Sequence, residues 1–214
     1  MRGSTTLGCA AAIVLASAGA WSAPRPAGER LLVIGDSNAV GVGVLPAAVW
    51  TNRLERSEKL FVQVWGGPGM SVAHPVLGLA RLSECAQAVQ GFGTLQAAFL
   101  ALGSNDYSGT VALDDVRAGV RRLLQSVSTT WICITPLGRM NETVPNALGL
   151  TLQDYRTAIA SECQALGAAL VQGELVVPSN SRLLGGDGLH LTGAGHDRLF
   201  RVTRDVLRSL LDVR

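Results

Sequence analysis

Short apolar runs and longer stretches of helical periodicity alternate along most of this chain. Leu31-Leu32-Val33-Ile34 is an uninterrupted apolar run that stops at Gly35, as a strand buried on both faces would read. Residues 43–57 follow with apolar positions at helical spacing. Leu60 to Trp65 reads as a second strand, and Gly66-Gly67-Pro68-Gly69 must be a loop. Residues 71–90 are helical in pattern, broken early by Pro75. Gln96 to Leu102 is a third apolar strand, closed by Gly103. Asp114 to Ser126 repeats Val116, Val120, Leu123 and Leu124 between arginines, an amphipathic helix. Trp131 to Thr135 is a fourth strand, stopped by Pro136, and 137–150 is a longer loop. Thr151 to Leu166 is a helix opened by a Thr151/Asp154 capping pair. Ala168 to Val171 is a fifth strand, and Thr192 to Leu211 the last helix. Strands that alternate with helices form βαβ units around a parallel sheet. The fold class expected is therefore α/β, in one domain without internal repeats.

The N-terminal segment breaks this pattern. Arg2 precedes an apolar run from Leu7 to Ala20, and Ala18-Gly19-Ala20 places small residues at the spacing of a signal-peptidase site. The run is shorter than the roughly 18–20 residues that span a bilayer, so a cleaved leader is expected rather than an anchor. Residues 1–20 are read as a signal peptide, 21–29 as a lead-in and 30–214 as the domain. Export to the periplasm or beyond the cell follows, with no stable membrane insertion after cleavage.

Composition adds mainly exclusions. The 214 residues are 48% hydrophobic and 16% charged, enough for one sizeable core and too apolar for a disordered chain. Net charge is +2 and no basic run occurs, so nucleic acid is not expected as a partner. Cys9 leaves with the leader, and three cysteines remain. A Cys85–Cys163 bridge and three buried thiols are both compatible with the sequence, while Cys133 lies in a buried strand. No CxxC or His-rich spacing marks a metal site, and no cofactor is implied.

The candidate chemistry lies just after the strands, where open parallel sheets bind ligands. Gly35-Asp36-Ser37-Asn38 follows the first strand and Gly66 to Ser71 the second. Gly103-Ser104-Asn105-Asp106 follows the third, and Asp187-Gly188-Leu189-His190 lies near the end. Each alone is ordinary strand-terminating sequence. Together they hold what acyl transfer needs: a hydroxyl nucleophile at Ser37, a base at His190, a carboxylate at Asp187 to orient it, and oxyanion donors at Gly69 and Asn105. Asp36 is read as bracing the nucleophile turn, Asp106 as ordering the Asn105 loop, and His196 as structural. Trp65, Tyr107, Arg139 and Met140 follow strands, where substrate contact and plain loop packing weigh equally. His74 is read as a surface residue.

These blocks resemble the SGNH or GDSL hydrolases. Gly35-Asp36-Ser37 is similar to their first block, Gly69-Met70-Ser71 to the second, Gly103-Ser104-Asn105-Asp106 to the third, and Asp187-Gly188-Leu189-His190 to the fifth. The resemblance runs from about residue 31 to 200. It implies a flavodoxin-like three-layer α/β/α sandwich on a five-stranded, mainly parallel sheet. It also implies a Ser37–His190–Asp187 triad and an oxyanion hole made by the Ser37 N–H, the Gly69 N–H and the Asn105 amide. The second block lacks the family's upstream Asn, which leaves Gly66, Gly67 and Gly69 in competition, with Ser71 favouring Gly69. Ala39 takes the place of the last Gly of a lipase-type elbow, which argues against an α/β-hydrolase. The family includes carbohydrate O-acetyl esterases, arylesterases, thioesterases and lysophospholipases. The substrate expected is a small-molecule or glycan ester with a short acyl group. A lysophospholipase- or thioesterase-like activity is the alternative, and a carbohydrate O-acyltransferase or an inactive binding module the alternatives of another class.

Overall fold

A computed structural model describes residues 29–73 and 95–211. Its centre is a five-stranded sheet in the order β2-β1-β3-β4-β5. The strands are β1 (Arg30–Gly35), β2 (Phe61–Gly66), β3 (Leu95–Ala101), β4 (Thr130–Ile134) and β5 (Ala169–Val171). Every neighbouring pair is parallel. Parallel strands need crossovers that cover the sheet, so both faces are buried and successive side chains enter different cores.

The alternation is strict. Leu32, Ile34, Ala98, Leu100, Trp131 and Cys133 enter one core, and Leu31, Val33, Ala97, Phe99, Ile132 and Ile134 the other. Among the described residues seven helices flank the sheet: α1 (Ser37–Val40), α2 (Trp50–Glu58), α3 (Ser104–Ser108), α4 (Leu113–Gln125), α5 (Leu152–Ala165), α6 (Gly173–Val176) and α7 (Gly193–Leu211). On the first face α4 brings Val116, Val120 and Leu123, and α5 brings Leu152, Tyr155, Ile159 and Cys163. On the second, α2 brings Trp50 and Leu54, and α7 brings Leu199, Phe200 and Leu207. This is the expected α/β/α sandwich.

Three local readings need correction or addition. The bridge is Cys133–Cys163, with Cα atoms 6.4 Å apart, and not Cys85–Cys163. Cys133 sits on the β4 face that meets α5, directly opposite Cys163 in the same core, and Cys85 lies outside the described residues. The helix read over 43–57 starts only at Trp50. Gly41 and Gly43 have positive φ, and Pro46 opens a separate 3₁₀ turn over Pro46–Ala48. Of the helix read over 71–90, residues 71–73 are not helical, and the rest, with His74, lies outside the described residues. The Thr151/Asp154 pair is present: the Asp154 carboxylate accepts from the Thr151 N–H at 2.7 Å and from its hydroxyl at 2.8 Å.

Strand order decides where a ligand can sit. The chain leaves β1 toward β2 on one side and returns to β3 on the other, so the crossovers part at the carboxyl end of β1. A crevice opens at such a switch point. Ser37 follows β1 and Asn105 follows β3, one on each side of it.

Candidate active site

Ser37 is the first residue of α1, straight after the turn that ends β1. The turn is tight because two strands crowd it. A Cβ on Gly66 would lie 2.0 Å from the Gly35 carbonyl oxygen, and one on Gly35 would lie 2.3 Å from the Ala39 Cβ. Only glycine fits either place. Asp36 caps the short helix by accepting from the Asn38 N–H at 2.9 Å. Its carboxyl is pushed up to about 6, chiefly by burial; the Asn38 N–H and the His190 charge oppose that shift and Asp106 adds to it. Asp36 thus braces the turn, as its sequence position suggests, and faces away from the role of orienting acid.

The Asp187–His190 loop is built differently. Asp187 Oδ1 accepts from the backbone N–H groups of Leu189 at 2.9 Å and His190 at 3.0 Å. The three-residue spacing then brings the imidazole back onto the same carboxylate, with His190 Nδ1 2.6 Å from Asp187 Oδ2. The hydrogen bond from His190, helped by the two backbone donors, holds the Asp187 carboxyl down at about 2. An ionised carboxylate only accepts, so the proton of this bond sits on Nδ1; in the neutral imidazole that tautomer leaves Nε2 as the acceptor. Gly188 has φ +63, and a Cβ there would meet Met140 Cβ at 2.5 Å. The Met140 N–H also donates to Gly188 O at 2.7 Å, so the loop after β4 braces this one.

One side chain joins the two regions. Asn38, 8% exposed, accepts from the Leu191 N–H at 3.0 Å through Oδ1 and reaches Leu189 O at 3.5 Å through Nδ2. These partners flank His190. The structure therefore brings the Ser37 turn and the Asp187–His190 loop to one place, from positions about 150 residues apart.

The candidate oxyanion donors gather beside them. Asn105 is the second residue of α3 and donates one amide hydrogen to Met70 O at 2.8 Å, which fixes its plane and leaves the other hydrogen. Asp106, fully buried, accepts from the Val72 and Ala73 N–H groups at 2.8 and 3.0 Å and ties the stretch after Gly69 to the end of β3. Asp106 thus orders both loops at once. Of the three competing glycines, Gly66 is pressed on Gly35 and the Gly67 N–H donates to Gly35 O at 3.3 Å. Gly69 has φ +78, is exposed, and has open space where a Cβ would be. Its exposed, unobstructed turn keeps it the candidate among the three.

The remaining polar residues divide clearly. His196 is fully buried in α7, accepts from the Trp50 N–H through Nδ1 at 3.4 Å, and is pushed down to about 4 by burial. That is a structural histidine. Trp65 is in the core, and the Tyr107 hydroxyl donates to Val144 O at 2.6 Å, so both pack rather than face a ligand. Arg139 Nη1 donates to Ser108 Oγ at 2.6 Å, which ties the post-β4 loop to α3. Met140 stays 45% exposed at the rim. Sequence reasoning missed Arg156, whose buried guanidinium holds Glu142 at 2.7 Å and the Pro136 and Leu137 carbonyls, anchoring the same loop from below. An arginine within an amphipathic helix carries no signal for this. Among the described residues no cluster of three or more His, Cys, Asp or Glu is placed to hold a metal ion.

Comparison with known proteins decides the family. The model of the GDSL-like Lipase/Acylhydrolase family matches residues 33–198. The chain belongs to this family. Its reaction class is hydrolysis of carboxylic esters. No curated protein matches the chain. Among solved structures it is similar to a lipase/acylhydrolase from Enterococcus faecalis, with TM-score 0.69 and 18% identity over 85% of this chain and 96% of that one. It is also similar to an aryl esterase of M. smegmatis (0.67, 18%, 86% and 100%). A mutant of Axe2, an acetyl-xylooligosaccharide esterase from Geobacillus, gives 0.63 and 20% over 86% and 96%. At these identities the likeness establishes the shared fold, and the GDSL hydrolase architecture is that fold.

Proposed function

We propose that this GDSL hydrolase is an exported serine esterase that cleaves short-chain acyl esters, including acetyl groups on carbohydrate, with Ser37, His190 and Asp187 as its triad. The observation that carries the reading is the 2.6 Å Asp187–His190 pair on a loop clamped to the nucleophile turn. His190 Nε2 takes the Ser37 proton as Oγ attacks the ester carbonyl. The Ser37 and Gly69 N–H groups and the Asn105 amide receive the negative oxygen. The tetrahedral intermediate collapses, His190 hands its proton to the departing alcohol, and an acyl-enzyme remains. Water then attacks with His190 again as base, releasing the acid and restoring Ser37. The acetyl-type preference is supported by the esterases among the structural neighbours. Export is supported by the leader-like residues 1–20. Among the described residues no helix is long and apolar enough to cross a membrane.

A second reading, a longer-chain acylhydrolase, is favoured by one observation. Met140, Val144 and Leu148 on the post-β4 loop are 45%, 53% and 52% exposed, and Met140 packs on Gly188 of the Asp187–His190 loop. Rates on p-nitrophenyl esters of graded length separate the two. A steep fall beyond butyrate is expected, and a preference for long chains would overturn the short-chain reading. Product analysis with a sugar acceptor tests acyl transfer, and a fluorophosphonate probe tests the site itself. Stoichiometric labelling of wild type and none of Ser37→Ala is expected; an unlabelled wild type points to an inactive binding module.

A further inference from the structure

The residue after the nucleophile has a buried amide whose partners, among the described residues, lie on the far loop. Asn38 Oδ1 accepts from the Leu191 N–H and Nδ2 reaches Leu189 O, one bond on each side of His190. Its own turn does not need this amide, because the cap of α1 is made by Asp36.

The loop, in turn, does not need Asn38 for its internal shape. The Leu189 and His190 N–H groups go to Asp187 Oδ1, the His190 carbonyl accepts from the Gly185 N–H at 2.7 Å, and Leu184 and Leu191 form an antiparallel bridge. Those bonds fix the imidazole against Asp187. They say nothing about its distance from Ser37. The 185–191 loop is irregular chain and belongs to no sheet strand, so the sheet does not set that distance either.

We infer that Asn38 is a positioning residue that sets the reach of His190 to Ser37, by clamping the backbone on both sides of the base. The inference rests on the reading of Ser37 as nucleophile and His190 as base. A misplacement of about 1 Å between reacting groups can lower a rate by about 10²-fold, so a clamp of this kind acts on turnover more than on substrate binding.

The test compares wild type with Asn38→Leu, near in size and unable to hydrogen bond, and Asn38→Asp, which keeps the acceptor for Leu191. Both the second-order rate of labelling by a fluorophosphonate and its final stoichiometry are measured, with kcat and KM on p-nitrophenyl acetate alongside. In Asn38→Leu the labelling rate constant and kcat should fall together by about 10- to 100-fold. Final labelling should stay near one per chain and KM within about twofold. Asn38→Asp should lose less. A purely structural role would instead lower the stoichiometry at an unchanged rate constant. That outcome, or wild-type rates in Asn38→Leu, overturns the inference. Should Asn38→Leu fail to fold, Asn38→Ser, too short to reach Leu191, carries the same expectations. Ser37→Ala and His190→Ala keep the two readings apart. If either retains wild-type activity the triad is wrong; if both are inactive while Asn38→Leu is normal, only the role of Asn38 fails.

Discussion

The nucleophile turn and the base loop meet at one site and are held by opposite means. Gly35 to Asn38 lies at the end of a central strand, buried, with glycine sterics that tolerate no Cβ at 35 or 66. The Asp187–His190 loop is irregular and half exposed. Its shape comes from hydrogen bonds to one carboxylate and its place from Asn38 and Met140. A site whose halves are fixed by packing on one side and polar bonds on the other should respond differently to substitution on each side.

The largest effect should separate chemistry from fold. Ser37→Ala and His190→Ala are expected to lower kcat by roughly 10⁴–10⁶-fold with little change in melting temperature, measured by ester hydrolysis and circular dichroism. On the loop side, Asp187→Asn should cost about 10⁴-fold, because an amide no longer fixes the imidazole tautomer. Asp36→Asn, adjacent to the nucleophile, should cost far less. Equal losses would mean that the orienting acid has been assigned to the wrong carboxylate. Asn105→Ala should lower kcat by about 10²–10³-fold with KM little changed.

Stability should sharpen the contrast from the packed side. Gly66→Ala drives a methyl group into the Gly35 carbonyl, whereas Gly67→Ala meets open space. The first should lose about 1–3 kcal/mol or more and the second stay within about 0.5 kcal/mol in urea melts. Equal effects would show that the turn is looser than its contacts imply.

The smallest effect is one of pH. The Asp36 carboxyl is raised to about 6 in the folded protein, mainly by burial. A raised carboxyl favours the fold when protonated. Its contribution is complete below the unfolded value of about 3.9 and is lost as pH rises through about 6. Asp36→Asn should therefore match wild type near pH 4 and gain up to about 3 kcal/mol above pH 7, read from melts across that range. His196, held near 4 by burial, works in the other direction. Its stabilisation is present above about 6.5 and is lost as pH falls toward 4. Flat wild-type stability between pH 4 and 6.5 would therefore be a balance of the two, and His196→Asn should reveal the Asp36 slope.

Much of this molecule was legible in its sequence because parallel strands are buried on both faces. Unbroken apolar runs such as Leu31–Ile34 and Trp131–Ile134 identify them, and the residues that follow are then the ones to inspect. The catalytic candidates were found that way, and so was Asp36 as a brace. Periodicity could not show the 3₁₀ turn at Pro46, a local backbone feature opened by proline, nor that Cys133 pairs with Cys163, which depends on which face of β4 meets α5. Short motifs and alternation are local properties, set by chain geometry over a few residues, and the sequence by itself determined the five strands, the helices read over 114–126, 151–166 and 192–211, and the polar residues that follow the strands. Which distant residues touch is a matter of contacts across about 150 positions, where the amide of Asn38 finds Leu189 and Leu191 only after the two cores have packed. The tertiary structure alone decided that, because a hydrogen bond between distant segments leaves no periodic mark in either.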